Sequence, residues 1–276
     1  MNAWREANGT TLEESRRRFV QFVILESISS SADLALRIAF KGGNALRFVH
    51  GNMRATLDLD FTAVPDFPDD KVRIKELLDA ALKRGERKHT VKARCQSVKR
   101  NPASLEKTLP TYRIKVCYQF PGDKDFQNFD ELLEKKKSFS AVIEVEISLN
   151  DVLCETMSQD VGASKLRVCT LEDIIAEKLR ALLQQIPRNR SRPQDVFDIS
   201  SMLRSGRALD VEKVALFLVK KSEARNIYAR KSAFDEYVRA NAEAAYNDLE
   251  IVGGRIPFDD AWSDVLDLVS RLDIPI

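Results

Sequence analysis

Histidine, cysteine and long apolar runs are all scarce in this chain, and each scarcity removes a class of function. Only His50 and His89 occur in 276 residues, so a Ser-His-Asp or Cys-His engine has little to draw on. The four cysteines, Cys95, Cys117, Cys154 and Cys169, are scattered without a Cys-x-x-Cys pair. That spacing argues against a disulfide framework and a zinc site, and for reduced structural thiols. No apolar run approaches the ~18–20 residues needed to span a bilayer. The richest, "FVQFVILESI" (19–28), is short, contains Glu26 and is not followed by a small-residue cleavage site. The expectation is a cytoplasmic chain with no membrane partner.

What is present is an ordinary folded composition, 44% hydrophobic and 31% charged. The net charge of +2 hides an uneven spread: residues 71–115 carry fourteen Lys/Arg against four Asp/Glu. Such a segment is either a solvated basic surface or an electrostatic footprint for nucleic acid. The second reading gains force only if phosphate chemistry lies nearby.

Hydrophobic periodicity predicts a helix over 11–29, opened by a Thr11/Glu14 capping box. A strand over 35–40 stops at Gly42-Gly43, a helix over 44–50 stops at Gly51-Asn52, and a strand over 56–64 stops at Pro65. A helix over 69–85 precedes strands over 89–100, 111–120 and 141–150, with 101–110 and 121–140 read as loops, the second with a helical turn. From residue 170 onward the pattern is helical, over 170–186, 192–204, 210–222, 225–248 and 258–272. The stretch "SQDVGASKL" (158–166) reads as a linker. The expected fold is α+β: a mixed sheet flanked by helices over residues 1–165, then a helical C-terminal part over 166–276.

The chemistry concentrates in "KGGNALRFVHGNMRATLDLDF" (41–61). On a strand, Asp58, Asp60 and Thr62 share one face while Leu57, Leu59 and Phe61 take the other. Two carboxylates so placed repel each other and lose hydration if buried; a divalent cation relieves both costs. An exposed strand face would make them harmless. The Gly42-Gly43 turn, which opens a helix, suits an approaching phosphate. In "AVIEVEISLN" (141–150), Ile143, Val145, Ile147 and Leu149 alternate with Glu144, Glu146 and Ser148, so Glu146 offers a third carboxylate. Two metals held by Asp58, Asp60 and Glu146 would activate a hydroxyl nucleophile and steady a leaving pyrophosphate. Lys178 interrupts the apolar stripe of Leu171, Ile174, Ile175 and Leu182, either snorkelling at a rim or reaching an anion.

These strings, with "LEDIIAEKLRALL", "RPQDVFDI" and "IEVEIS", resemble the AbiEii/AbiGii toxin family of nucleotidyltransferases, within the DNA-polymerase-beta-like superfamily, to which the MenT toxins belong. The matched pieces span residues 41–199; residues 205–276 carry no assignable motif. The resemblance implies transfer of a nucleotide from an NTP to an RNA acceptor such as a tRNA 3′ end, as the toxin of a type IV toxin–antitoxin pair. It implies Mg²⁺ (or Mn²⁺) on Asp58, Asp60 and Glu146, with Glu144 as the rival third carboxylate. Gly42 and Gly43 match the phosphate-cradling turn, Lys178 the lysine that holds triphosphate oxygens, and Asp195 the acid that orients that lysine or the nucleotide. Lys41, Asn44, Arg54 and Thr56 complete the expected nucleotide-binding set. Asn44 stands where Thr is usual and Thr56 where Ser is usual, and Pro193 falls where only a helix's first turn tolerates it. For Arg54 a plain surface turn is the alternative. The basic segment 83–115 becomes the expected RNA groove, and an antitoxin from a neighbouring gene the expected partner. Transfer to a protein or small molecule, a non-catalytic nucleotide- or RNA-binding module, and a phosphatase-type metal hydrolase are the competing readings.

Overall fold

The computed structural model describes residues 11–51, 54, 56–104, 109–251 and 254–276. Asn52, read as part of a helix stop, and Lys107 of the basic segment lie outside them. Seven strands form one mixed sheet: β1 (Ile38–Lys41), β2 (Leu59–Ala63), β3 (Lys92–Asn101), β4 (Thr111–Gln119), β5 (Val142–Ser148), β6 (Thr156–Val161) and β7 (Ser164–Cys169). Their spatial order is β3-β4-β5-β2-β1-β7-β6. β2 runs parallel to β5 and β1 parallel to β7, whereas β3–β4 and β4–β5 are antiparallel. This is the α+β, mixed-sheet architecture that the hydrophobic pattern predicts.

The chain divides into two interleaved compact units. The first comprises Met1–Phe40, Leu57–Asn150 and Ser158–Val168, and holds nearly all of the sheet. Its helices α1 (Leu12–Ser29), the single turn α2 (Ala32–Ala35), α4 (Lys71–His89) and the short α5 (Phe129–Glu134) supply the packing. Thr11 caps α1 by accepting from the Glu14 amide, as the capping box predicts. Asp70 caps α4 through the Arg73 amide, and α4 packs on β3 and α1.

Alternation along the central strands sorts the faces. Leu59, Phe61, Ile114, Val116, Val145 and Ile147 are fully buried, each such side chain contributing ~1.5–3 kcal/mol of transfer free energy. The intervening residues of β4 and β5 are polar: Arg113, Lys115, Glu144 and Glu146. A bulge between Cys95 and Ser97 shifts the β3 register and turns Ser97 and Lys99 onto this polar side.

The second unit comprises Lys41–Thr56, Asp151–Met157 and Cys169–Ile276. It contains α3 (Gly42–His50), α6 (Leu171–Leu183), α7 (Pro193–Arg204), α8 (Val211–Glu223), α9 (Glu236–Glu243) and α10 (Phe258–Arg271). α6 packs on α8 and α7, and α7 on α10. Pro193 occupies the first turn of α7, the one place in a helix where its missing N–H costs nothing.

Beyond shifted limits, such as α4 running on to His89 and β3 starting only at Lys92, three segments differ from the sequence reading. The supposed linker at 158–166 is a hairpin, β6 and β7 joined through Gly162 at φ 59°. A Cβ there would collide with the Glu26 carboxylate, so glycine is needed for both conformation and space. The first residues of the expected strand over 35–40 are not strand: Ala35 ends α2, Leu36 and Arg37 form a turn, and β1 starts only at Ile38. Finally, 225–248 is not one helix: Asn226 has φ 54°, and Asp235 starts α9 anew by accepting from the Tyr237 and Val238 amides. Among the described residues no helix is long and apolar enough to cross a membrane.

Candidate active site

In the first unit, register sets four charged side chains in a row across the sheet. Asp60 lies opposite Glu146, Glu146 opposite Arg113, and Arg113 opposite Lys99. Neighbouring strands are ~4.8 Å apart, so carboxylates fill two adjacent columns and cations the next two. The Arg113 guanidinium lies 2.7 Å from Glu146 Oε1, and Lys115 Nζ lies 3.7 Å from Glu144. Just before β2, the buried Gln21 of α1 donates to the Leu57 carbonyl at 2.9 Å, fixing the backbone that delivers Asp58.

Asp58 feels this arrangement directly. Its carboxyl is raised above the ordinary value by burial first, then by the charges of Glu144 and Glu146, with Arg113 opposing. Both glutamates therefore act on Asp58, but only Glu146 is in register with Asp60, and it is the more sheltered, 24% against 38% exposed. Among the described residues, no group of three or more His, Cys, Asp or Glu side chains is already gathered to hold a metal ion. Arg113 stands on the Glu146 oxygen in the role of a counter-ion. The donor set nonetheless suits a hard divalent cation, being carboxylate oxygen throughout and in electrostatic excess at Asp58.

In the second unit, Gly42 takes φ 75° between β1 and α3, a conformation that excludes most side chains. Gly43 is required for space. A Cβ there would meet Arg54 Nη2 at 2.5 Å and Thr56 Oγ1 at 2.8 Å. Asn44 is wholly buried and donates to the Thr56 carbonyl at 3.1 Å, tying the turn to the segment before β2. Lys41 is paired with Asp151 at 3.0 Å, and Arg225 reaches the same carboxylate at 2.9 Å. Burial disfavours both ions of the Lys41–Asp151 pair, yet their mutual field raises the lysine and lowers the aspartate.

Lys178 is buried on α6 and donates to Asp195 at 2.8 Å and Asp198 at 2.6 Å, both on α7. Burial would lower its ammonium; the two carboxylates outweigh that and raise it. Arg54 closes the network with a bidentate pair onto Asp198, Nε at 2.8 Å and Nη2 at 2.9 Å. Burial would raise Asp198, but Lys178 and Arg54 hold it down at about 2. The Gly43 turn, Arg54, Asp198, Lys178 and Asp195 thus form one contiguous cluster. Asp198 is the member that sequence reasoning did not single out. Its signal lay in "RPQDVFDI", where Asp195 and Asp198 stand three apart on one helix face. The remaining candidates are structural: His50 ends α3, His89 ends α4 on Glu26, and Cys95, Cys117, Cys154 and Cys169 are free thiols.

Residues 23–266 match the family model of the nucleotidyl transferase AbiEii toxin, type IV toxin–antitoxin system. The chain belongs to the AbiEii family. It is a nucleotidyltransferase of the toxin class, and the AbiEii assignment carries with it a nucleotide substrate and an antitoxin partner. Among solved structures, MenT4, a nucleotidyltransferase toxin from Mycobacterium tuberculosis H37Rv, aligns with TM-score 0.56 at 17% identity, covering 95% of this chain and 85% of that one. JHP933 from Helicobacter pylori aligns with TM-score 0.51 at 15% identity, covering 94% and 91%. At such identities the likeness is one of fold. No curated protein matches in sequence. The AbiEii match embraces every candidate residue described above, Asp198 included.

Proposed function

We propose that this AbiEii nucleotidyltransferase moves a nucleoside monophosphate from an NTP to an RNA acceptor, a tRNA 3′ end being the preferred reading. The observation that carries the proposal is the row Asp60, Glu146, Arg113 and Lys99 across one sheet face. Carboxylates and cations in adjacent columns suit a reaction between polyanions: the acidic columns take a cation and the basic columns take acceptor phosphates. Asp58, Asp60 and Glu146 are assigned as the residues that hold Mg²⁺ or Mn²⁺. When bound, such an ion neutralises phosphate oxygens and favours an ionised hydroxyl nucleophile.

The protein's own residues supply the rest. Gln21 fixes the approach to Asp58, and the Asp58 and Asp60 carboxylates present oxygens on one face. In the second unit, the Gly42-Gly43 turn offers the α3 backbone amides to an anion. Lys178 spends two of its three N–H donors on Asp195 and Asp198, and the third is assigned to a phosphate oxygen. Asp195 and Asp198 act as positioning residues for that ammonium. The basic strands of segment 83–115 are assigned to the RNA, and the cytoplasm is the proposed site of action.

The test incubates purified protein with each α-³²P NTP, Mg²⁺ and total RNA, followed by identification of the labelled species. RNA labelling by one NTP, abolished in Asp58→Ala and Asp60→Ala, is the expected result. Transfer that survives loss of both aspartates overturns the assignment of the carboxylates, and label appearing only in protein overturns the RNA acceptor.

A further inference from the structure

The loop between α6 and α7 reads Ile-Pro-Arg-Asn-Arg-Ser-Arg over residues 186–192, and residues 186–191 are all exposed. Despite that exposure its backbone is firmly held. Gln185, wholly buried, donates to the Val238 carbonyl at 3.2 Å and accepts the Arg192 amide at 2.7 Å. Asn241 of α9 donates to the Arg190 carbonyl at 2.6 Å, and Ser191 Oγ donates to the Asn241 carbonyl at 2.7 Å. Asn189 turns the loop at φ 47°, a conformation asparagine tolerates. The outcome is an ordered platform that projects arginines at alternate positions.

Those arginines are poorly compensated. Among the described residues neither Arg188 nor Arg190 has a carboxylate within ion-pair distance, and Arg192 reaches only Asp195, at 3.9 Å. Although exposed, Arg188 is partly desolvated, and that, followed by the positive fields of Arg225, Arg180, Arg190 and Arg192, pulls its guanidinium below the ordinary value. Ordering several like charges without partners costs free energy, which a polyanion would return. An aromatic ring belongs to the same surface. Tyr237 stands one helical turn before Asn241 on α9, hence on the same helix side, and it is 78% exposed. Guanidinium forks match phosphate oxygens bidentately, and an exposed ring is a stacking platform for an unpaired base.

We infer that Arg188, Arg190, Arg192 and Tyr237 form a second RNA-contact surface, which takes the phosphates and one base of a single-stranded segment. It rests on the RNA reading above but is separate from the basic strands of the first unit. A free nucleotide offers too few phosphates to engage three spread arginines, and a lipid surface gives Tyr237 no base to stack on.

The experiment titrates full-length protein against a fluorescein-labelled single-stranded RNA, following anisotropy between 50 and 200 mM salt. Arg188→Gln/Arg190→Gln should lower the salt slope of log K by about 1.4, at ~0.7 per phosphate contact on a single strand. Tyr237→Ala should leave the slope unchanged and weaken binding about 5-fold at fixed salt, the loss of ~1 kcal/mol of base stacking. Both variants should bind a fluorescent NTP as the wild type does. A wild-type slope in the double-arginine variant overturns the inference, as does an equal loss of NTP binding. A third protein, Arg113→Glu/Lys115→Glu, separates the two levels: if it alone loses the slope, the RNA reading stands and the loop surface falls. If wild-type protein binds no RNA, both fall.

Discussion

Gly43→Ala probes whether the turn and the buried ion cluster are one mechanical unit. Added to the backbone, the new Cβ would stand 2.5 Å from Arg54 Nη2, so the guanidinium must retreat by about 1 Å to reach an ordinary van der Waals distance. A free arginine would swing away at little cost. Arg54 is instead held by two hydrogen bonds of 2.8 and 2.9 Å to Asp198, which is completely buried and also receives Lys178. The retreat must distort that pair or push back the α3 backbone, the kind of overpacking that costs ~1–3 kcal/mol. Urea unfolding of wild type, Gly43→Ala, Arg54→Gln and the double variant forms a thermodynamic cycle. Gly43→Ala should cost ~1–3 kcal/mol in the wild type and roughly half of that once the shorter glutamine has vacated its share of the space, because Thr56 Oγ1 still stands 2.8 Å from the new Cβ. A coupling energy of about 0.5–1.5 kcal/mol is therefore expected. Strict additivity would show that Gly43 is not supported by Arg54 and would sever the turn from the cluster.

Asp198→Asn should be the costliest single change in the cluster, because it leaves Lys178 and Arg54 with one buried carboxylate between them; ~3–5 kcal/mol is expected by denaturation at pH 7. Its pH dependence has a definite sign. The folded carboxyl sits at about 2 and an unfolded aspartate at ~3.9, so the stabilisation is complete above pH ~4 and disappears as pH falls towards 2. Linkage sets that part at roughly 2–3 kcal/mol, and a wild-type minus variant difference that stays constant from pH 6 to pH 2 would contradict it. Arg113→Gln removes a charge that lowers Asp58, so carboxyl-detected NMR should report a still higher Asp58 pKa; a fall would refute the proposed field. Glu146→Gln should reduce nucleotide transfer by orders of magnitude and Glu144→Gln by less than tenfold, and the reverse ranking would reassign the third carboxylate.

Strand alternation carried most of what was legible. Because side chains alternate strictly along a strand, Ile143, Val145 and Ile147 had to share one face and Glu144 and Glu146 the other, and they do. Helix limits followed from Thr11, Gly51 and Pro193 for reasons equally local. The misreadings are cases where distant contacts decide. "SQDVGASKL" looks like a linker because its polar residues suit solvent, and only the pairing of β7 with β1, more than a hundred residues away in sequence, places it in the sheet. The segment 225–248 has helical composition throughout, yet the left-handed Asn226 and the cap at Asp235 divide it.

Asp198 shows the limit for site residues. An aspartate in an apolar helix can be read as a surface residue or as half of a pair, and the nearby Asp195 signals a shared face without supplying the cation. The decision is made by Lys178, twenty residues back, and by Arg54, further back still. A buried ion is tolerated only when its partners arrive with good geometry, so each member of such a cluster is individually improbable and jointly stable. That explains why Lys178, an oddity in an apolar stripe, was visible alone while Asp198 was not. It also follows that the cluster's members should be substituted in combination. Replacing Arg54, Lys178, Asp195 and Asp198 together with apolar residues of similar volume should cost less stability than Asp198→Asn alone, and a larger loss would show that the ions contribute net free energy to the fold.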